Sequence, residues 1–137
     1  MVSALPRGMR NNNPLNIEHS PANDWRGLAD PPTDGRFCRF STMECGVRAA
    51  AVLIRNYQTR YGLRTVRGIV SRWAPKVENN VSAYVASVVR HSGLEPDERL
   101  DLNDARVLVR LIRAMARHEN GVELSELSAK AGVALAV

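Results

Sequence analysis

Helical apolar spacing governs the chain from Ser41 onward. It is clearest where Val107, Leu108, Leu111, Ile112 and Met115 share one face and Arg106, Arg110, Arg113 and Arg117 lie mostly opposite. That stripe commits the fold to a mainly helical core. Asp101 or Asn103 is predicted to cap this helix, and Asn120-Gly121 to end it. Upstream, Ser41-Thr42-Met43-Glu44 has the form of a capping box, and Val47, Ala50, Ala51, Ile54 and Tyr57 follow as one buried stripe until near Gly62. Thr65 opens a shorter helix carrying Val66, Ile69, Val70 and Trp73. Ala74-Pro75 stops it, because proline lacks an N–H and restricts the residue before it. Asn80 opens the next, with Val81, Tyr84, Val85, Val88 and Val89 inward and Gly93 as its stop. Leu94 to Leu100 reads as a surface loop, and a short last helix carries Leu124, Leu127 and Ala131.

The first forty residues obey a different rule. Asn11-Asn12-Asn13-Pro14, Pro21 and Pro31-Pro32 interrupt every period, so this stretch is expected to be loop and turn. Its one strand signal is Asp34-Gly35, a type I′ hairpin dipeptide, followed by alternating Arg36-Phe37-Cys38-Arg39-Phe40, with a partner strand near Trp25 to Ala29. The expected architecture is mainly α with a small β-hairpin, one domain spanning residues 1–137. At this length roughly two thirds of the extended surface can be buried, so neither a disulfide nor a metal is required for folding. Cys38 and Cys45 are too few for a disulfide scaffold and lack zinc-site spacing, so they read as free thiols, with a single disulfide between them left open. His19, His91 and His118 form no ligand pair, so no metal and no cofactor is expected. The N-terminus lacks an apolar signal core and no run approaches about eighteen apolar residues, which predicts neither a secretory signal nor a membrane span.

Net charge is +5, and of nineteen basic residues all but Lys76 and Lys130 are arginine. Such a balance favours polyanions: nucleic acid, acidic lipid or an anionic cell-wall polymer. Nucleic acid is the weakest of these, because no helix-turn-helix, finger or aromatic-basic interleaving is present.

Four places hold polar residues that could carry chemistry. Glu119, within His118-Glu119-Asn120-Gly121, sits in the last turn of the strongest helix, where the negative end of the dipole opposes ionisation and a general acid would gain a raised pKa. It also reads as a solvated glutamate beside a glycine cap. Asn11, Asn12, Asn13 and Asn16 exceed what one turn around Pro14 needs. Their amides can bind sugar hydroxyls and N-acetyl groups, or simply build Asx-turns. Trp25 is either a platform for a pyranose face or the cover of a small core, and Tyr84 is either core or cleft-facing. Glu44 is explained by its place in the capping box.

These residues fall into motifs that resemble a family. Arg7-Gly8-Met9-Arg10-Asn11-Asn12-Asn13-Pro14-Leu15-Asn16-Ile17, Trp25-Arg26-Gly27, Asp34-Gly35-Arg36-Phe37, Gly68-Ile69-Val70-Ser71-Arg72-Trp73-Ala74-Pro75 and His118-Glu119-Asn120-Gly121 resemble, in order, phage and prophage virion structural or lytic proteins. Leu15 stands where that family usually has glycine, and Glu18 where a basic residue is frequent. A second resemblance, to lytic transglycosylases and glucosaminidases of the lysozyme-like superfamily, rests on Asn13-Pro14-Leu15-Asn16-Ile17 and Phe37-Cys38-Arg39-Phe40-Ser41. There the glutamate-bearing helix comes first, whereas here it lies near the C-terminus, so the chain resembles a circular permutant.

The resemblance implies a lysozyme-like α+β domain that cleaves the β-1,4 bond between N-acetylmuramic acid and N-acetylglucosamine in bacterial peptidoglycan. It implies Glu119 as general acid/base and Asn11, Asn13, Asn16, Trp25, Tyr84 and His118 as substrate-binding. Tyr84, in Asn80-Val81-Ser82-Ala83-Tyr84-Val85, resembles the cleft tyrosine of transglycosylases. Glu18, Asp24, Asp34 and Glu44 are the candidates for a second carboxylate. The alternative it implies is a non-catalytic virion component that binds cell wall or another virion protein. Either product would be made in the host cytoplasm and act at the periplasm or wall, through holin release or within the virion.

Overall fold

The computed structural model describes residues 5–74 and 80–137. Its elements run α1 (Arg7–Arg10), β1 (Leu28–Thr33), β2 (Cys38–Phe40), α2 (Met43–Tyr61), α3 (Val66–Trp73), α4 (Val81–Ser92), α5 (Ala105–Asn120) and α6 (Glu126–Leu135). The result is a mainly helical α+β architecture in which α2 packs on α6, and α5 packs on both α4 and α6. The core between them is aliphatic. Ile54, Ile69, Val88, Leu108, Leu111, Ile112 and Met115 are all fully buried, and among the described residues Phe40 and Tyr84 are its only buried aromatics. No helix of the described residues is long and apolar enough to cross a membrane.

Helix boundaries follow from caps. Thr65 accepts from the Gly68 N–H and Asn80 from the Ala83 N–H, while Gly62, Gly93 and Gly121 take the left-handed conformation that closes α2, α4 and α5. Ala74 adopts φ −80°, ψ 125°, the extended backbone expected before a proline. Pro75 and the rest of that motif lie outside the described residues.

Several expectations are corrected. The cap of α2 is Thr42, which accepts from Cys45 N–H, because the Ser41 hydroxyl is committed to the Gly27 carbonyl at 3.0 Å. Glu44 is thus no capping-box partner, and stands in the first turn of α2 where the positive dipole end favours it. The cap of α5 is Asp104, not Asp101 or Asn103. Helix α6 buries Ala129, Gly132 and Val133 and leaves Leu127 81% exposed and Ala131 outward. Small residues win there because α6 lies so close to α2 that a Cβ on Gly132 would strike Val47.

The N-terminal segment is not loop throughout, since α1 forms one turn. The hairpin is also looser than a type I′ turn: Thr33 pairs with Cys38 and Leu28 with Phe40, leaving Asp34 to Phe37 as a four-residue loop. Asp34 organises that loop by accepting from the backbone N–H groups of Arg36 and Phe37. The strand consequently begins at Cys38, and its partner extends to Thr33 through Pro31-Pro32, which an edge strand tolerates.

Candidate functional site

The asparagine run binds the N-terminal turn to the hairpin. Asn13 is fully buried and fully satisfied: its amide donates to the Ile17 and Cys38 carbonyls at 3.0 Å each, and its carbonyl accepts from Ile17 N–H at 2.9 Å. Asn12 donates to the Phe40 carbonyl, and Asn11 donates to Asp34 at 2.8 Å. Asp34 also receives Arg7 in a bidentate pair at 2.6 and 2.9 Å. Arg7 first, then Asn11 and the loop N–H groups, hold the Asp34 carboxyl well below the usual carboxylate range. Asn12 and Asn16 take positive φ of 51° and 53°, which asparagine accepts at low cost, whereas Leu15 does not. Leu15 in the usual glycine position therefore strains nothing, and its side chain is buried.

This turn meets the end of α5. Asn120 donates to the Pro14 carbonyl at 2.8 Å and to the Ala116 carbonyl of its own helix at 3.0 Å. One residue earlier, Glu119 Oε1 accepts from Asn16 Nδ2 at 3.1 Å, and Oε2 accepts from the Tyr84 hydroxyl at 2.9 Å. The end of α5 and the N-terminal turn are thus in direct contact. Burial, reinforced by the neighbouring Glu119, raises the Tyr84 hydroxyl well above its usual pKa, so Tyr84 stays a donor at every working pH. The His118 ring lies 4.0 Å from that of Tyr84, and burial lowers its pKa. Gly8 in α1 completes the arrangement, because a Cβ there would come within 2.5–2.9 Å of Asn120 Oδ1, the Asn13 carbonyl and Asn16 Oδ1.

Glu119 lines a cleft of about 590 Å³. One wall is polar and comes from the turn, the hairpin loop and the end of α5: Asn16, Glu18, Arg36 and Glu119, with Leu15, Ile17 and Phe37 between them. The other is apolar and comes from α2 and α3: Leu53, Tyr57 and Trp73, with the two rings 6.0 Å apart. The chain has seven aromatic side chains, and its buried core uses two of them. Three others line this cleft. Tyr57 and Trp73 pack one side against the core and leave the other to the cleft, and such aromatic surface is what a ring-shaped, amphipathic ligand needs.

Of the predicted site residues, the structure brings Glu119, Asn16 and Glu18 to the cleft. Glu18 is largely exposed and pairs with Arg36 at 3.2 Å. Tyr84 is fully buried and donates to Glu119 from within, His118 packs on the Tyr84 ring, and neither lines the cleft. Asn11 and Asn13 are spent on the fold. Trp25 packs against the core with its indole N–H unpartnered and does not line the cleft. Asp34 is engaged by Arg7, and Asp24 and Glu44 lie elsewhere, so Glu18 is the sole candidate second carboxylate in the lining. Both cysteines are free thiols, with Cys38 buried and its pKa raised by that burial.

Tyr57, Trp73, Phe37 and Arg36 were not assigned a site role from the sequence. The usable signal was the scarcity of aromatics, since Tyr57 and Trp73 otherwise read as ordinary members of buried helical stripes.

No protein-family model matches the chain. It is 37% identical over 122 residues to Protein P5 of Pseudoalteromonas phage PM2, a match that spans 88% of this chain and 74% of that relative.

Proposed function

The chain belongs to the family of Protein P5 of Pseudoalteromonas phage PM2, and on that premise we propose a phage protein that engages the glycan of bacterial peptidoglycan and cleaves it with Glu119. The observation that carries this reading is one carboxylate, held by Asn16 and Tyr84, on the lining of a cleft whose opposite wall is Tyr57 and Trp73. Sugar rings present apolar faces that stack on aromatics and hydroxyl and N-acetyl edges that pair with amides and carboxylates. The return of α5 onto the amide-rich turn supports a permuted lysozyme-like arrangement.

In this mechanism protonated Glu119 donates to the oxygen of the β-1,4 bond between N-acetylmuramic acid and N-acetylglucosamine, and the bond to the muramic C1 breaks. Tyr84 and Asn16 fix the direction of the carboxyl group, so its proton is delivered along one line. The resulting carboxylate then takes the proton of the muramic 6-hydroxyl as that oxygen closes on C1. This yields a 1,6-anhydro end, with no water consumed and no second carboxylate. A hydrolytic route instead requires Glu18 to activate water or to trap C1. No cofactor enters either route. The protein would be made in the host cytoplasm and reach the wall through a holin or within the virion.

A second reading is favoured by a specific observation. Both Glu119 oxygens already accept hydrogen bonds from this chain, and Glu18 is paired with Arg36. Under that reading the protein is a virion component that binds the wall, or another virion protein, without cutting. Kinship with a phage protein bears on this second reading more directly than on catalysis.

Mass analysis of digested sacculi separates the outcomes. Anhydromuramic ends support transglycosylation, new reducing ends support hydrolysis, and sacculus binding with no new ends assigns the chain to the virion-component reading.

A further inference from the structure

Beyond the cleft, the aromatic wall continues onto the surface. Tyr61, in the last turn of α2, is 52% exposed, and its ring lies 6.4 Å from that of Tyr57 in an edge-on arrangement. Arg72, one residue before Trp73, lays its guanidinium 3.7 Å over the Tyr61 ring and 5.4 Å from the Tyr57 ring. Trp73, Tyr57, Tyr61 and Arg72 thus form one strip that starts inside the cleft and ends on an exposed, ring-stacked cation.

Tyr57 and Trp73 also pack against the core, so it is the exposed end of the strip, Tyr61 and Arg72, that packing does not demand. Among the described residues Arg72, like most of the arginines, has no carboxylate partner, and what sets it apart is its place over two aromatic rings. A guanidinium flattened on an aromatic ring keeps its N–H edges free in the plane of the group, and those edges match a carboxylate in a two-pronged geometry. Stacking also removes much of the side-chain freedom that would otherwise be lost when the anion arrives.

Resting on the glycan reading above, we propose that Arg72, backed by Tyr61 and continuous with Tyr57 and Trp73, is a subsite for a carboxylate carried by the bound glycan strand. Two carboxylates on such a strand fit this chemistry. One is the free lactyl group of a muramic residue stripped of peptide, and the other is a carboxylate of the peptide stem on an intact strand. Recognition at Arg72 would set the register of the strand, because a charged substituent recurs only on alternate sugars.

The test measures binding of the full chain and of Arg72→Gln to three probes: intact sacculi, amidase-stripped glycan strands and chitotetraose, which has rings but no carboxylate. Arg72→Gln is expected to weaken binding to a carboxylate-bearing probe by about three- to tenfold and to leave chitotetraose binding unchanged. The difference should shrink as salt is raised, and Arg72→Lys should restore part of it. Loss confined to stripped strands identifies the lactyl group, and loss confined to intact sacculi identifies the stem. Equal loss on all three probes would show that Arg72 only props the aromatic strip, and would overturn the proposal. So would unchanged binding of every probe. If the unmodified protein binds none of the three glycans, the glycan reading itself fails, whereas binding that ignores Arg72→Gln removes the subsite alone.

Discussion

The two walls of the cleft are built by different physics. The polar wall hangs on single directional bonds: Asn16 to Glu119, Asn120 to the Pro14 carbonyl, and the three bonds of Asn13. The aromatic wall rides on α2 and α3, whose positions come from capped ends and from apolar faces pressed into an aliphatic core. Hydrogen-bonded geometry is fixed to tenths of an ångström but has little redundancy, whereas helix packing is redundant and tolerates exchange of one exposed ring. Chemistry that needs a carboxyl aimed at one atom belongs on the first kind of wall, and adhesion belongs on the second.

That contrast can be broken by substitution on either side. The largest effect is expected from Glu119→Gln, which keeps the shape and the Asn16 and Tyr84 neighbours yet should lower glycan cleavage by about two to four orders of magnitude. Sacculus co-sedimentation should be unchanged, which a cleavage and binding assay on one preparation would show. Asn13→Ala should cost about 1–3 kcal/mol of stability for each buried group left unpaired, read as a lower denaturant midpoint. Rate should fall with it, because Asn16 and Asn120 are aligned by the same turn.

On the aromatic side, Trp73→Leu should weaken glycan affinity by about 0.5–1.5 kcal/mol while the maximal cleavage rate stays nearly constant. A substrate titration would separate the two. Tyr84→Phe sharpens the comparison from behind, since it deletes one bond to Glu119 and nothing that faces the cleft. It should lower the rate by the worth of one hydrogen bond, about 0.5–1.5 kcal/mol, without altering binding.

The smallest effect is expected at Asp34, whose pair with Arg7 is partly exposed and worth about 0.2–1 kcal/mol. The folded pKa of Asp34 lies below its ordinary 3.8. The stabilisation is therefore complete above that value and is lost only as pH falls through the folded one. The stability gap between the native chain and Asp34→Asn should hold constant at neutral pH and close in strong acid.

The helices were legible because their signals are local. Thr65, Asn80 and Gly121 act within a turn of themselves, and the α5 stripe needs only a partner surface. Where two residues compete for one role, the sequence did not decide. Ser41 and Thr42 can both cap a helix, and the carbonyl of Gly27 settles the matter by engaging Ser41. On α6 the sequence points to large leucines, whereas close contact with α2 selects Ala129 and Gly132. The hairpin loop widened because Arg7, far away in sequence, joins a carboxylate that already organises the turn. Glu119 and Asn16 were visible as residues out of place in a bland fold. The cleft between them and Trp73 was not, because it exists only once the ends of α2 and α3 come to face the N-terminal turn.

The bond between Asn16 and Glu119 joins positions 103 residues apart. An intervening chain of that length must organise before the carboxyl group acquires its neighbours, and any polypeptide broken off short of Glu119 has no site at all. A chain still short of α5 therefore lacks the carboxyl group and both of its hydrogen bonds, so the polar wall of the cleft is completed only once α5 has been made.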